Sequence, residues 1–356
     1  MTNAYPHLLA PIKIGKFVLK NRMQSSNSLP HFSQGPEEYP AEGTMAHFIG
    51  RARTGAAFVT FAGVEDTYQM PPLPDTLDMS HFPEFDMRNA KCQNYMVEMV
   101  EAMHYTGSIV SGSLFSANRT YRYENENGEI EAVDANPQGP VTDSSGMSGS
   151  IGDDVPAENL YKIAKSYGQR TALYKRLGFD AVTIHMSYRA QVPGQLLSPL
   201  TNFRTDEFGG SFENRCRFPL MVIEKVKAVL GDKTPLILRL GADDFVPGSN
   251  TLEDSMAFAP LAQQAGVDLF NVTGGWHETK IPQLTGDLPR GGLSYLGKGI
   301  RSVVSAPVMM CNRVSDPTTA EKLLALGRAD LVGFGRPLIA DPDLPNKALA
   351  AQTEQI

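Results

Sequence analysis

The sequence predicts a (β/α)8 TIM barrel with a long capping insertion after its third strand. Two observations predict it. Short β-branched runs alternate with longer amphipathic patterns eight times over most of the 356 residues, the β-then-α rhythm of an α/β barrel. Several of the short runs, "AAFVTFA" and "PLILRL" among them, lack polar alternation, as strands buried on both faces do. A doubly wound open sheet is the rival architecture, and no G-x-G-x-x-G follows the first strand to support it.

The strands are expected at 22–28, 56–64, 108–115 and 179–186, then at 235–242, 267–275, 306–312 and 329–335. Between them lie helical patterns such as "NLYKIAKSYGQRTALYKRLG" and "RCRFPLMVIEKVKAVLG". Their apolar residues recur three and four apart, and a glycine closes each. We expect one domain over residues 1–356, interrupted by a polar stretch rich in Gly, Ser and Asp at 119–157. A loop of that length is usually a lid or a mobile segment. Leaving the carboxyl end of a strand, it would hang over the catalytic face. A surface excursion is the plainer reading.

Composition narrows the function. A hydrophobic fraction of 42% in a chain this long supports a large core. The net charge is −7 and no Lys/Arg run exceeds two residues, which argues against nucleic acid and anionic membranes as partners. No run of eighteen apolar residues occurs to span a bilayer, and the first twenty residues carry no signal-peptide pattern. Cys92, Cys216 and Cys311 are scattered and odd in number. They suggest a reducing cytoplasm, and they supply no metal or iron–sulfur motif.

Barrel enzymes carry their chemistry at the carboxyl ends of strands, with phosphate commonly bound after strands seven and eight. Arg313, Gly333, Gly335 and Arg336 fall at those two places, where glycine permits close backbone approach and helix starts favour anions. Tight turns with surface arginines are the alternative. On the fifth strand, Arg239 lies within "LILRLGA", and an arginine in an apolar strand is rarely buried without a partner. Either it pairs with Asp243 or Asp244, or it is held against an electron-rich ligand. After the fourth strand, "HMSYRAQVPGQLLSPL" brings His185 and Tyr188 to a strand end, as ligand-facing groups or as loop residues.

Four stretches carry a family resemblance. "HLLAPIKIGKFVLKNRM" resembles the opening of the Old Yellow Enzyme family of FMN-dependent ene-reductases. "LLSPLTNFRTDEFGGSFENRCRF" is similar to that family's most recognisable segment, and "ADLVGFGRPLIADPDLPNKAL" to its phosphate-binding end. "GGWHETKIPQ" most resembles the larger branch typified by 2,4-dienoyl-CoA reductase, of which this chain matches the barrel. That branch acts on unsaturated thioesters and steroid-like enones, and its barrel continues into an iron–sulfur segment and a flavin/nicotinamide domain.

The resemblance implies FMN in the barrel mouth. Asn27, Ser28 and Leu29 would line the flavin, with Ala62 packed near its ring and Ser113 at its pyrimidine edge. Arg239 would stabilise negative charge on the ring, and Asn312, Arg313, Gly335 and Arg336 would hold the phosphate. His185 would border the cofactor and donate to a substrate carbonyl. Tyr188 or His277 would protonate the product, and Trp276 and His277 would contact substrate. Three departures from the family pattern stand out. Ser113 occupies a common glutamine position, Ser28 and Leu29 replace residues that tune the flavin, and Ala190 stands where the usual proton-donating tyrosine would be. The implied activity is reduction of an activated C=C bond in a small-molecule substrate, with NADH or NADPH as donor. The alternatives are a flavin-linked dehydrogenase of an amine or saturated substrate, and an electron-transfer subunit of a larger complex. A homo-oligomer or a separate electron-donor subunit is compatible with each.

Overall fold

A short antiparallel hairpin, β1 (Ile12–Ile14) and β2 (Phe17–Leu19), precedes the first barrel strand in the computed structural model. The structure describes residues 4–26, 28, 39–61, 64–65, 84–85, 89–114, 120–134, 151–188, 191–276, 279 and 288–350. The first barrel strands are β3 (Met23–Ser25) and β4 (Phe58–Phe61). A two-residue pair follows, β5 (Val64–Glu65) with β6 (Glu84–Phe85), and then β7 (Ile109–Leu114). A second hairpin, β8 (Thr120–Glu124) and β9 (Ile130–Asp134), comes next. The barrel is completed by β10 (Ala181–Met186), β11 (Leu236–Gly241), β12 (Leu269–Thr273), β13 (Val308–Met310) and β14 (Leu331–Phe334). β14 returns to pair with β3, so the sheet closes and leaves no edge. All eight expected strands are present where the sequence placed them.

Helices α1 (Glu42–Ala52), α2 (Ala90–His104) and α3 (Ala157–Arg176) follow the first three barrel strands. The short α4 (Val192–Leu197) and the long α5 (Phe212–Leu230) follow β10, and α6 (Leu252–Ala265) follows β11. The ring ends with α7 (Ser294–Arg301), α8 (Pro317–Ala325), α9 (Pro337–Ala340) and α10 (Leu344–Leu349). The largest hydrophobic cluster fills the space between strands and helices. No helix among the described residues is long and apolar enough to cross a membrane.

Alternation along the strands builds the barrel interior in layers. Phe58, Ala181, Ile237, Leu269, Met309 and Leu331 form an apolar floor, sealed from below by Ile14 and Leu19 of the first hairpin. Two residues further along each strand, the inward position holds Thr60, Ser111, Thr183, Arg239, Asn271 or Gly333. The second layer is therefore polar, and the strand ends open above it.

The polar stretch after β7 contains regular structure that its composition concealed. "TYRYE" hides an alternation, and Tyr121 and Val133 of the β8–β9 hairpin are buried. The hairpin packs on α3, where Ser166 Oγ donates to the Arg122 carbonyl at 2.7 Å and Gln169 exchanges two hydrogen bonds with the Glu124 backbone. Residues 135–150 lie outside the described residues. The returning end is fastened to the loop that leaves β10, where Ile151 bridges to Asn202. Arg204, 4% exposed, donates to the carbonyls of Gly152 (2.9 Å) and Val155 (2.5 Å) and grips both oxygens of Asp206. The segment "LTNFRTDEFGG" is thus a structural knot rather than a reacting group.

Arg204 holds the Asp206 carboxyl below its ordinary range, chiefly through those hydrogen bonds. A depressed carboxylate stabilises the fold at neutral pH, and that contribution is lost as pH falls through the folded-state value. We predict that Arg204→Ala lowers the unfolding free energy by about 1–3 kcal/mol at pH 7, because it takes the donor from the Gly152 and Val155 carbonyls as well as from Asp206. The deficit should shrink in acid. Urea midpoints for both proteins at two pH values check it, and a deficit independent of pH would contradict it.

Candidate active site

Strands β10 and β11 carry the centre of the site. Their register sets His185 beside Arg239, and both are buried, Arg239 at 9% exposure. Tyr188, just beyond the end of β10, turns back over them. Its ring lies 5.9 Å from that of His185, and its backbone φ is +64°. Positive φ is uncommon for a residue other than glycine and is costly for a bulky one, so the surrounding contacts must hold it there. One of those contacts is a bridge from Tyr188 to Trp276, which brings two expected site residues together across the strand ends.

Hydrogen bonds from Arg239 run through the site in one direction. Arg239 Nη2 donates to the Tyr188 hydroxyl at 3.0 Å, with the guanidinium carbon 5.6 Å from the tyrosine ring centroid. Tyr188 Oη lies 3.1 Å from Thr273 Oγ1, and Thr273 donates to Asn312 Oδ1 at 2.6 Å. A guanidinium only donates and an amide oxygen only accepts, so Tyr188 must donate to Thr273. Arg239 Nη1 lies 3.5 Å from Asn271 Oδ1, which also accepts from the Cys311 thiol at 3.1 Å. The expected alternative, a pair with Asp243 or Asp244, does not form. Asp244 takes the Ser249 hydroxyl and Asp243 the Phe245 amide. Burial pulls the Arg239 guanidinium down, Tyr188 and Cys311 outweigh it, and the net direction is up. The group stays cationic.

Among the described residues, Arg239 Nε and Ser113 Oγ are buried without a hydrogen bond, a state that costs about 1–3 kcal/mol per group unless a ligand satisfies it. Tyr188 lies past the end of β10, so the guanidinium that reaches it points to the mouth. A buried cation with spare donors suits an electron-rich heterocycle, and these residues fit the flavin that the sequence implied.

The remaining expected positions divide. The Ser28 carbonyl is held by His47 Nε2 at 3.1 Å, and burial lowers the pKa of that imidazole. Arg313 has φ +59° and spends its Nε on the Leu288 carbonyl at 2.7 Å, which leaves the rest of its fork for a ligand. Gly335 has open space where a side chain would begin, and Arg336 is exposed. Gly333 packs toward the barrel interior, where a Cβ would come within 2.7 Å of both Cys311 Sγ and Gln24 Oε1. Asn27, Leu29, Ala62, Ala190 and His277 lie outside the described residues.

Sequence reasoning missed Gln24, Thr60, Asn271, Thr273 and Cys311. Gln24 Nε2 donates to Thr60 Oγ1 at 2.7 Å, and the Cys311 thiol lies 3.9 Å from Gln24 Oε1. The available signal was a polar residue every second place in otherwise apolar strands, as in "LFNVT".

Comparison with known proteins agrees with this geometry. A family model described as NADH:flavin oxidoreductase / NADH oxidase matches residues 7–355. A metal reductase from Desulforamulus reducens is 33% identical over 98% of this chain and 49% of its own length. A 2-naphthoyl-CoA reductase structure superposes with a TM-score of 0.81 at 25% identity, covering 98% of this chain and 52% of that one. A histamine dehydrogenase from Rhizobium sp. 4-9 gives 0.77 at 25% identity, covering 99% of this chain and 49% of that one. The chain spans about half the length of these relatives.

Thr273 joins two halves of the site, which makes it a test of the hydrogen-bond direction. Thr273→Val keeps the shape and removes the hydroxyl that joins Tyr188 to Asn312, breaking both bonds. The predicted loss is about 1–3 kcal/mol, read as a lower denaturant midpoint with an unchanged m-value. A stability equal to wild type would mean that the chain of bonds does not form.

Proposed function

The chain belongs to the NADH:flavin oxidoreductase / NADH oxidase family, and from that premise we propose that it reduces the activated C=C bond of an α,β-unsaturated carbonyl or thioester. The observation that carries the reading is the buried Arg239 cation, whose partners among the described residues are all neutral and which keeps a spare donor. Arg239 and Ser113 would hold the flavin pyrimidine, and Asn27, Ser28, Leu29, Ala62 and His185 would line the ring. Asn312, Arg313, Gly335 and Arg336 would take the phosphate. FMN, when bound, supplies hydride to the substrate β-carbon, with NADH, NADPH or a separate redox partner as the electron source.

The protein's part is charge and proton placement. His185 donates to the substrate carbonyl, which makes the β-carbon electrophilic and meets the negative charge that then develops on oxygen. Tyr188 delivers a proton to the α-carbon by releasing its bond to Thr273, with Arg239 still donating to the oxygen left behind. His277 is the second candidate donor, and Trp276 and His277 would contact the substrate. Residues 119–157 would cap the mouth, a reading supported by the anchoring of their returning end beside β10. The match to an amine dehydrogenase supports a second reading, flavin-linked dehydrogenation of an amine.

Anaerobic mixing of pre-reduced, FMN-loaded protein with a panel of enones separates these. We predict that Tyr188→Phe slows substrate-driven reoxidation at least about tenfold, below the usual 10²–10⁴ of general-acid help because His277 or water substitutes in part. Wild-type rates in Tyr188→Phe with a dead His277→Ala would move the donor to His277. Wild-type rates in both would mean that solvent protonates the product, whereas no enone-driven reoxidation even in the wild-type protein would sink alkene reduction and favour the dehydrogenase.

A further inference from the structure

The cysteines occupy different surroundings. Cys92 in α2 and Cys216 in α5 are buried at 0% and 1% exposure, and burial pushes the Cys216 thiol up to about 12. Cys311 is only partly buried. It stands one step past β13, two residues beyond the floor residue Met309, inside the polar layer of the barrel. Its sulfur lies 3.1 Å from Asn271 Oδ1 and 3.8 Å from Ser26 Oγ, and it contacts Arg239. The absent side chain of Gly333 makes room for it.

The way in to this thiol is set by the fold. Beneath it the floor is closed, with Met309, Leu269 and Leu331 at 0% exposure, so a reagent arrives from the mouth. Arg239, which this thiol touches, is 9% exposed and holds one buried donor, Nε, with no hydrogen-bond partner among the described residues, which marks the space beside Cys311 as ligand-receiving. Reactive cysteines sit in electropositive, partly exposed surroundings, and Cys311 has both features.

We propose that Cys311 is a covalent modification site for soft electrophiles inside the cofactor pocket, and that bound FMN shields it. The Cys311 sulfur adds to the β-carbon of an activated alkene. A C–S bond forms, the C=C π bond breaks, and the α-carbon takes the proton that the thiol gives up. No oxidant or reductant is consumed. Resting on the flavin reading above, the inference makes activated alkenes, the proposed substrate class, inactivators of any chain that has lost its cofactor.

The test uses oxidised holoprotein, N-ethylmaleimide and no nicotinamide, with labelled peptides identified by mass. Cys311 should be labelled ahead of Cys92 and Cys216, and Cys311→Ser should remove that label. Added FMN should slow the labelling, by about a hundredfold when free FMN exceeds its Kd about a hundredfold, because only the unliganded fraction reacts. Labelled protein, shown to be folded by circular dichroism, should not regain flavin absorbance. Labelling at an FMN-independent rate, first labelling at Cys92 or Cys216, or FMN rebinding to labelled protein would each overturn the proposal. Shielding by FMN in a protein that reduces no enone would uphold the site and remove the reaction reading.

Discussion

The site is organised around one buried positive charge, Arg239, with no carboxylate paired to it among the described residues. A guanidinium inside a barrel is costly unless dipoles replace its water. Here a phenol, an amide oxygen and a thiol do so, each supplied by a different strand or strand end. Three other features of the interior accommodate that charge. Asn271 takes Arg239 and Cys311 on one oxygen, Gly333 leaves out a side chain so that Cys311 and Gln24 fit, and Tyr188 adopts an unfavourable backbone angle to reach the guanidinium. Neutral dipoles leave the cation incompletely answered, which is the condition under which an electron-rich ligand gains from binding.

The chemistry and the scaffold divide along the loop after β10. The end of β10 and the start of that loop bring His185 and Tyr188 together beside Arg239. The loop's later part, Asn202 to Phe208, satisfies its own backbone and clamps residues 151–155 through Arg204. Asn202 spends both amide hydrogens on the Leu196 and Phe208 carbonyls. The stretch that most clearly marks the family by sequence is therefore the part that positions the site rather than the part that reacts.

The barrel was legible because strands buried on both faces tend to read as apolar runs, as "AAFVTFA" and "PLILRL" do, in a regular β-then-α rhythm. The two hairpins were not, since three- to five-residue strands such as "IKI" and "TYRYE" carry too little pattern to stand out from loop. Arg239 announced itself as a charge in an apolar strand, and His185 and Tyr188 by their place at a strand end. Their partners did not. Asn271, Thr273 and Cys311 look like ordinary strand residues until closure of the sheet turns alternate positions inward. The positive φ of Tyr188 had no sequence signal, because tyrosine does not advertise that conformation.

The midpoint potential of the bound flavin in Arg239→Gln tests the central claim most directly. Glutamine keeps a polar side chain and removes the charge. If the buried cation is there to meet negative charge on the ring, the flavin becomes harder to reduce, and the two-electron potential should fall by at least about 30 mV, equivalent to about 1.4 kcal/mol. An unchanged potential in a folded, FMN-loaded variant would contradict the account and reduce Arg239 to a structural element of the barrel.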